Sequence, residues 1–210
     1  MKENLWYYPV SNPPYHLARR IMPPICRIKL RYLQMHMSSF DVKIHDMTPK
    51  PVSDRMFSLL ELYDMHTGFF SKVLDGISDT DSHKRLDTKA NHIAWLTGTL
   101  VEQRAEMANW LGTEYHQQAH ELFKDNQGIK EDVTYPSLDN FKRDWNVVSP
   151  LCREAFVKVT DEKLDSNFEM PGMTFPYFQM VLFMLYREAN IIGQIALWRR
   201  LLGYDAMKYM

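Results

Sequence analysis

His116 and His120 stand four residues apart with Glu121 beside them, the spacing that sets two imidazoles on one side of a helix for a transition metal. The segment from Glu114 to Asp125 is strongly polar and lies between stronger helical patterns, so the expectation is an exposed helix with two free imidazoles. Arg187, Asn190 and Gln194 make another constellation. At about 100° per residue they fall within about 60° of one another on a stretch that is otherwise apolar. Either they form an interhelical polar network, with Arg187 on a carboxylate of another helix, or they wall a polar pocket inside a bundle. Arg104 and His66 each lie in the apolar face of another helix. Arg104 reads as a boundary residue that snorkels and His66 as a packed core histidine with one hydrogen bond, unless both point at the Arg187 stripe. Cys152 sits at apolar spacing, and all eight histidines lie at or before residue 120, which makes it a buried, inert thiol rather than a nucleophile. The chain has no H-E-x-x-H, no glycine-rich phosphate loop and no G-x-S-x-G.

Four helical stretches carry these residues. Ser53 precedes an acidic first turn, after which Leu59, Tyr63, His66, Phe70, Val73 and Ile77 recur in steps of three and four, ending at Gly76 and the polar run Asp79 to Asp87. A second helix is expected from Thr88 to Leu111, with Gly112 at its carboxyl end. Thr113 to Tyr135 connects, with a short helix through Leu122. A third helix starts near Ser137, and Pro150 is expected to bend or split it before Val159. Thr160 to Gly172 is polar, and Pro171-Gly172 marks a turn. The fourth helix, Thr174 to Leu202, is apolar around nearly its whole circumference, with Phe178, Val181, Leu182, Leu185, Ala189, Ile192 and Ala196 on one face, so burial on several sides is expected. No alternation of period two is visible. The fold class is therefore all-α, a four-helix bundle with a crossover connection.

Composition agrees. The 210 residues are 45% apolar and 24% charged, which fits one globular domain with an appendage and excludes collagen-like and low-complexity chains. Two cysteines cannot make a disulfide framework, which suggests a reducing, cytoplasmic location. No run of 18 residues is free of charge, so no membrane partner is expected. The net charge of -1 hides an asymmetry: residues 1–37 carry +5 and the remainder -6. An acidic body makes nucleic acid a poor partner. Seven of the eleven prolines fall between positions 9 and 51, so residues 1–51 read as a poorly structured, basic extension with room for one short helix, Arg27 to His36, and residues 52–210 as the bundle domain. The extension is either an anion- or membrane-binding arm or upstream sequence read through before a start at Met35 or Met37.

At Asn91-His92-Ile93-Ala94-Trp95-Leu96-Thr97-Gly98-Thr99-Leu100, and at Arg187-Glu188-Ala189-Asn190-Ile191-Ile192-Gly193-Gln194 with Ile195 to Gly203 behind it, the chain resembles the DinB/YfiT-like superfamily over about residues 52 to 205. The resemblance implies a four-helix bundle from a family that binds metal, some of whose members transfer low-molecular-weight thiols to electrophiles. Those with metal carry Gly-His-Leu in the second helix and His-[Asp/Glu]-x-x-His-x-Gly-Gln in the fourth. Here the three ligand positions read Thr99, Arg187 and Ile191, so no metal cofactor is expected, and the permanent cation at Arg187 suits a small anionic ligand. The resulting expectation is a ligand-binding or structural member whose central pocket is lined by Thr99, Arg187, Asn190 and Gln194, with Arg104 and His66 behind them. The alternatives are a thiol S-transferase and a homodimerising module that buries the apolar excess of the fourth helix.

Overall fold

A computed structural model describes residues 49–209. The expected helix from Arg27 to His36, the basic head and its two candidate starts lie outside the described residues. Within them the chain is mostly helical, with seven α-helices and one two-stranded sheet.

Ser53 opens the first element: its hydroxyl accepts from the Arg55 amide at 3.3 Å and donates to Asp161 at 2.5 Å, and a 3-10 turn over Asp54–Met56 leads into α1, Phe57–Leu74. Leu60, Tyr63, His66, Phe70 and Val73 face inward at helical spacing. After the short α2, Asp79–Ser82, comes α3, Ile93–Trp110, which begins five residues later than the sequence pattern suggests. Residues 88–90 are held in a turn, with the Ala90 amide donating to the Thr88 hydroxyl at 3.2 Å and Arg85 Nε to the Ala90 carbonyl at 2.9 Å, and His92 caps α3 instead, its Nδ1 accepting from the Trp95 amide at 3.0 Å. A single turn, α4 at His120–Phe123, interrupts the next connector. Then α5 runs unbroken over Leu138–Lys158, capped by Ser137, so Pro150 neither splits it nor ends it. Pro150 and Asn146, whose carbonyl loses its helical partner, both face water, which satisfies that oxygen.

Past α6, Asp161–Asp165, the structure departs from the all-α expectation: β1, Asn167–Met170, pairs antiparallel with β2, Met173–Pro176. Pro171 presets φ and Gly172 takes φ 80°, the pair that a two-residue type II turn uses. The hairpin delays α7 to Tyr177–Leu201, with Pro176 at its cap.

The four long helices form a ring in which α1 packs on α5 and α7, and α3 packs on the same two. Successive long helices α1 and α3 thus stand opposite each other, as do α5 and α7. One end of the core holds Phe70, Leu100, Phe141, Trp145 and Ile195, and the other Met56, Met107, Phe156, Met180 and Val181. Helix α3 approaches its surroundings so closely that a β-carbon at Gly98 would stand 2.1 Å from the Phe123 ring.

α7 corrects another expectation. It buries Val181, Leu185, Glu188, Ile192 and Ile195 but leaves Leu182, Phe183, Tyr186, Ala189, Leu197 and Leu201 exposed, because the ring gives it two neighbours rather than three. Its composition and length would let it cross a membrane, with a mean hydropathy of 1.3, yet it carries a fully buried Glu188 and a buried Arg199. Arg199 donates from Nη1 to the carbonyls of Val73 and Asp75 at 2.9 and 2.6 Å, tying α7 to the carboxyl end of α1 and the residue that caps it.

Candidate functional site

The six residues singled out by sequence separate into two places. Arg104 and His66 lie in the middle of the ring, whereas Thr99, Arg187, Asn190 and Gln194 line one open cleft between α3 and α7. The expected single central pocket is therefore replaced by a filled centre and a surface cleft.

Arg104 is fully buried and does not snorkel. Its guanidinium meets Glu188 of α7 in a fork, Nε to Oε1 at 2.8 Å and Nη2 to Oε2 at 3.1 Å, and reaches Thr67 of α1 at 2.7 Å, Ser149 of α5 at 2.8 Å and the Tyr63 carbonyl at 3.4 Å. All five donors of the group have an acceptor, and one side chain of α3 thereby touches each of the other three long helices. The rings of Tyr63 and Trp145 lie 3.9 and 3.6 Å from the guanidinium carbon, and Phe70 stacks on Trp145. His66 Nδ1 lies 3.1 Å from Glu188 Oε2, and since a carboxylate only accepts, that nitrogen carries the proton. Burial alone would raise the Glu188 pKa, but the Arg104 charge and the hydrogen bonds from both partners hold it below the usual carboxylate value. Burial pushes the neighbouring Cys152 thiol up to about 12, against the pull of Arg104, which leaves it protonated and inert as expected.

The cleft is built differently. α3 presents Trp95, Thr99, Glu102 and Glu106 at steps of four, three and four, and α7 presents Arg187, Asn190 and Gln194 opposite them. Three adjoining cavities run along this seam and share Arg187. The outer one, about 330 Å³, is walled by Asn91, Trp95, Thr99, Tyr186, Asn190 and Gln194 and has no carboxylate among the described residues that line it. A narrow middle one, about 50 Å³, lies among Glu102, Gln103, Glu106 and Phe123. The third, about 610 Å³, opens beneath the β-hairpin.

Among the described residues Arg187 forms no ion pair, and its guanidinium carbon stands 5.9 Å from the Phe183 ring centroid. Two side-chain atoms along the middle cavity are buried without a hydrogen-bond partner, the Trp95 Nε1 donor and the Gln103 Oε1 acceptor. Glu106 is half-buried, and its pKa rises to about 7, chiefly through desolvation and then through the neighbouring Glu102, with Arg187 and His120 pulling the other way. Glu102 is itself engaged, accepting from Gln117 at 2.7 Å and lying 2.6 Å from His120 Nδ1. The expectation of two free imidazoles fails here: His116 precedes α4 rather than sharing it, and His120 is paired.

Thr99, Arg187 and Ile191, the residues that the resemblance sets against metal ligands, do not fit a metal. The Thr99 hydroxyl donates to the Trp95 carbonyl at 2.9 Å, a guanidinium has no lone pair to offer, and Ile191 is aliphatic and buried. Sequence reasoning missed Glu188, Glu102 and Glu106. For the last two the signal was present, since Thr99, Glu102 and Glu106 continue one polar stripe along α3. No protein-family model matches the chain, and neither does any curated protein.

Proposed function

We propose that residues 52 to about 205 form a DinB-like helical bundle without that family's metal triad, and that it binds a small anionic ligand in the α3–α7 cleft. The observation that carries this reading is Arg187: a cation at the junction of three cavities, with no carboxylate partner among the described residues and none of them in the wall of the outer cavity. Asn91 and Asn190 add polar side chains around it. Isothermal titration of the full chain with acetate, benzoate and phosphate tests the reading. Binding of at least one of them that is lost in Arg187→Gln is the expected result; equal binding by the wild type and Arg187→Gln would overturn it.

Glu106 favours an alternative reading, an enzyme of the thiol S-transferase kind that works without the metal. A carboxyl titrating near neutrality beside a fixed cation is suited to take the proton of an incoming thiol. Turnover of an electrophilic substrate with a low-molecular-weight thiol, abolished in Glu106→Gln, would support it. The exposed Leu182, Tyr186 and Leu197 on α7 favour a homodimer through that face, and a monomeric mass by light scattering would remove this partner. We further read the protein as cytoplasmic, without nucleic-acid or membrane partners, on its acidic body and on the ionic contacts of α7.

A further inference from the structure

We infer that the ligand of the cleft is an apolar carboxylate, with its head group on Arg187 and its hydrocarbon body in the cavity between the β-hairpin and α7. This rests on the reading of Arg187 as an anion-binding residue and adds the part of the ligand that Arg187 does not touch.

The cavity beneath the hairpin, about 610 Å³, is of the size that holds small organic ligands. Its walls are Trp110 from the end of α3, Phe168, Met170, Met173 and Phe175 from the two strands, and Phe183 from α7. Trp110 and Phe168 meet edge to face at 4.7 Å, and Phe168 stacks on Phe175 at 5.8 Å, so the aromatic side is fixed, while the methionines supply a surface that adapts to a flexible chain. Met173 and Phe183 are 57% and 52% exposed, apolar surface that an occupant would take out of water.

The charges set the orientation. Among the described residues Arg187 is the only cation lining this cavity, and it stands where the cavity meets the other two. Asp125, Glu169 and Glu106 also line it, and an anionic head placed among them would be repelled. The head is therefore held at Arg187, which the hairpin cavity shares with the two others. The guanidinium alone offers two parallel N–H donors to the two oxygens of a carboxylate. A dianion would face three carboxylates with a single compensating charge, which disfavours a phosphate.

The test is calorimetric titration of the full chain with decanoate, acetate and decanol, in parallel with Arg187→Gln and Met173→Asp. Each buried methylene multiplies affinity about fourfold, so burying even half of the chain makes decanoate roughly a hundredfold or more tighter than acetate. Decanol is expected to bind at least tenfold more weakly than decanoate, and Met173→Asp, at an exposed hairpin position, to weaken decanoate at least tenfold. Decanoate no tighter than acetate, with both lost in Arg187→Gln, overturns this inference and leaves the anion reading standing. Decanoate binding untouched by Arg187→Gln, or matched by decanol, overturns the anion reading and this inference with it.

Discussion

Arg104 and Arg187 lie on neighbouring helices of the same ring, and their surroundings are opposite. Arg104 is sealed between Tyr63 and Trp145 with every donor satisfied and a buried carboxylate as its partner. Arg187 faces open cavities and is paired with no carboxylate among the described residues. A guanidinium cannot shed its proton, so a buried one demands a complete shell of acceptors, whereas one at a cleft keeps its hydration until a ligand displaces it. The difference separates a residue that specifies how four helices fit together from one that is free to act on something else.

The sharpest way to break this contrast is Glu188→Ala, which leaves Arg104 charged and buried without its partner and is expected to cost about 3–5 kcal/mol of stability in urea denaturation. The double variant Arg104→Met with Glu188→Leu should recover most of that loss; failure to do so would mean that the pair contributes more than mutual compensation. Next in size, Gly98→Ala forces the Phe123 ring, which lines the middle cavity, to shift and is expected to cost about 1–3 kcal/mol, read as a lowered melting temperature.

Glu106 brings a pH dependence near neutrality to the cleft side. Facing it are Glu102 from its own helix, Arg187 from α7, His120 from α4 and Asp125 from the following turn. Its folded pKa, about 7, lies above the usual 4.5, so the folded state holds the proton more tightly and the stabilisation is complete below pH 4.5. It is lost as pH rises through 7, and anion binding, which further favours the protonated form, should weaken over the same interval. Glu106→Gln is expected to flatten both profiles, and a profile unchanged by that substitution would remove Glu106 from the cleft's chemistry. The smallest expected effect is the most telling for the comparison: Arg187→Gln should change stability by no more than about 0.5 kcal/mol, as at an ordinary surface position.

How far the sequence reaches follows the same division. The inward face of α1, the Ser137 cap and the Pro171-Gly172 turn were legible because each depends on spacing or on a residue's own backbone preference. So was the grouping of Arg187, Asn190 and Gln194, since one helical stripe needs no partner to define it. The roles of Arg104 and Glu188 are not legible, because their meaning lies in groups 37 to 122 residues away in the chain, which no helical wheel displays. The hairpin escaped because two four-residue strands are too short to establish alternation. Pro150 was overweighted because its cost depends on whether the freed carbonyl faces water.

The placement of successive long helices on opposite sides of the ring bears on how the chain reaches its structure. Only α3 and α5 are both consecutive long helices and direct neighbours, so they form the pair with the shortest loop to close. α1 finds its neighbours only in α5 and α7, both distant in the chain, and its contacts to α7 include Arg199 reaching Val73 across 126 residues of sequence. Joining the first and last of these four helices adds contacts of long sequence separation to a set that is otherwise mostly local, and the entropy of that closure slows assembly more than it lowers the final stability. The last of these four helices to be synthesised is therefore also the one that completes both the buried ionic cluster and the cleft.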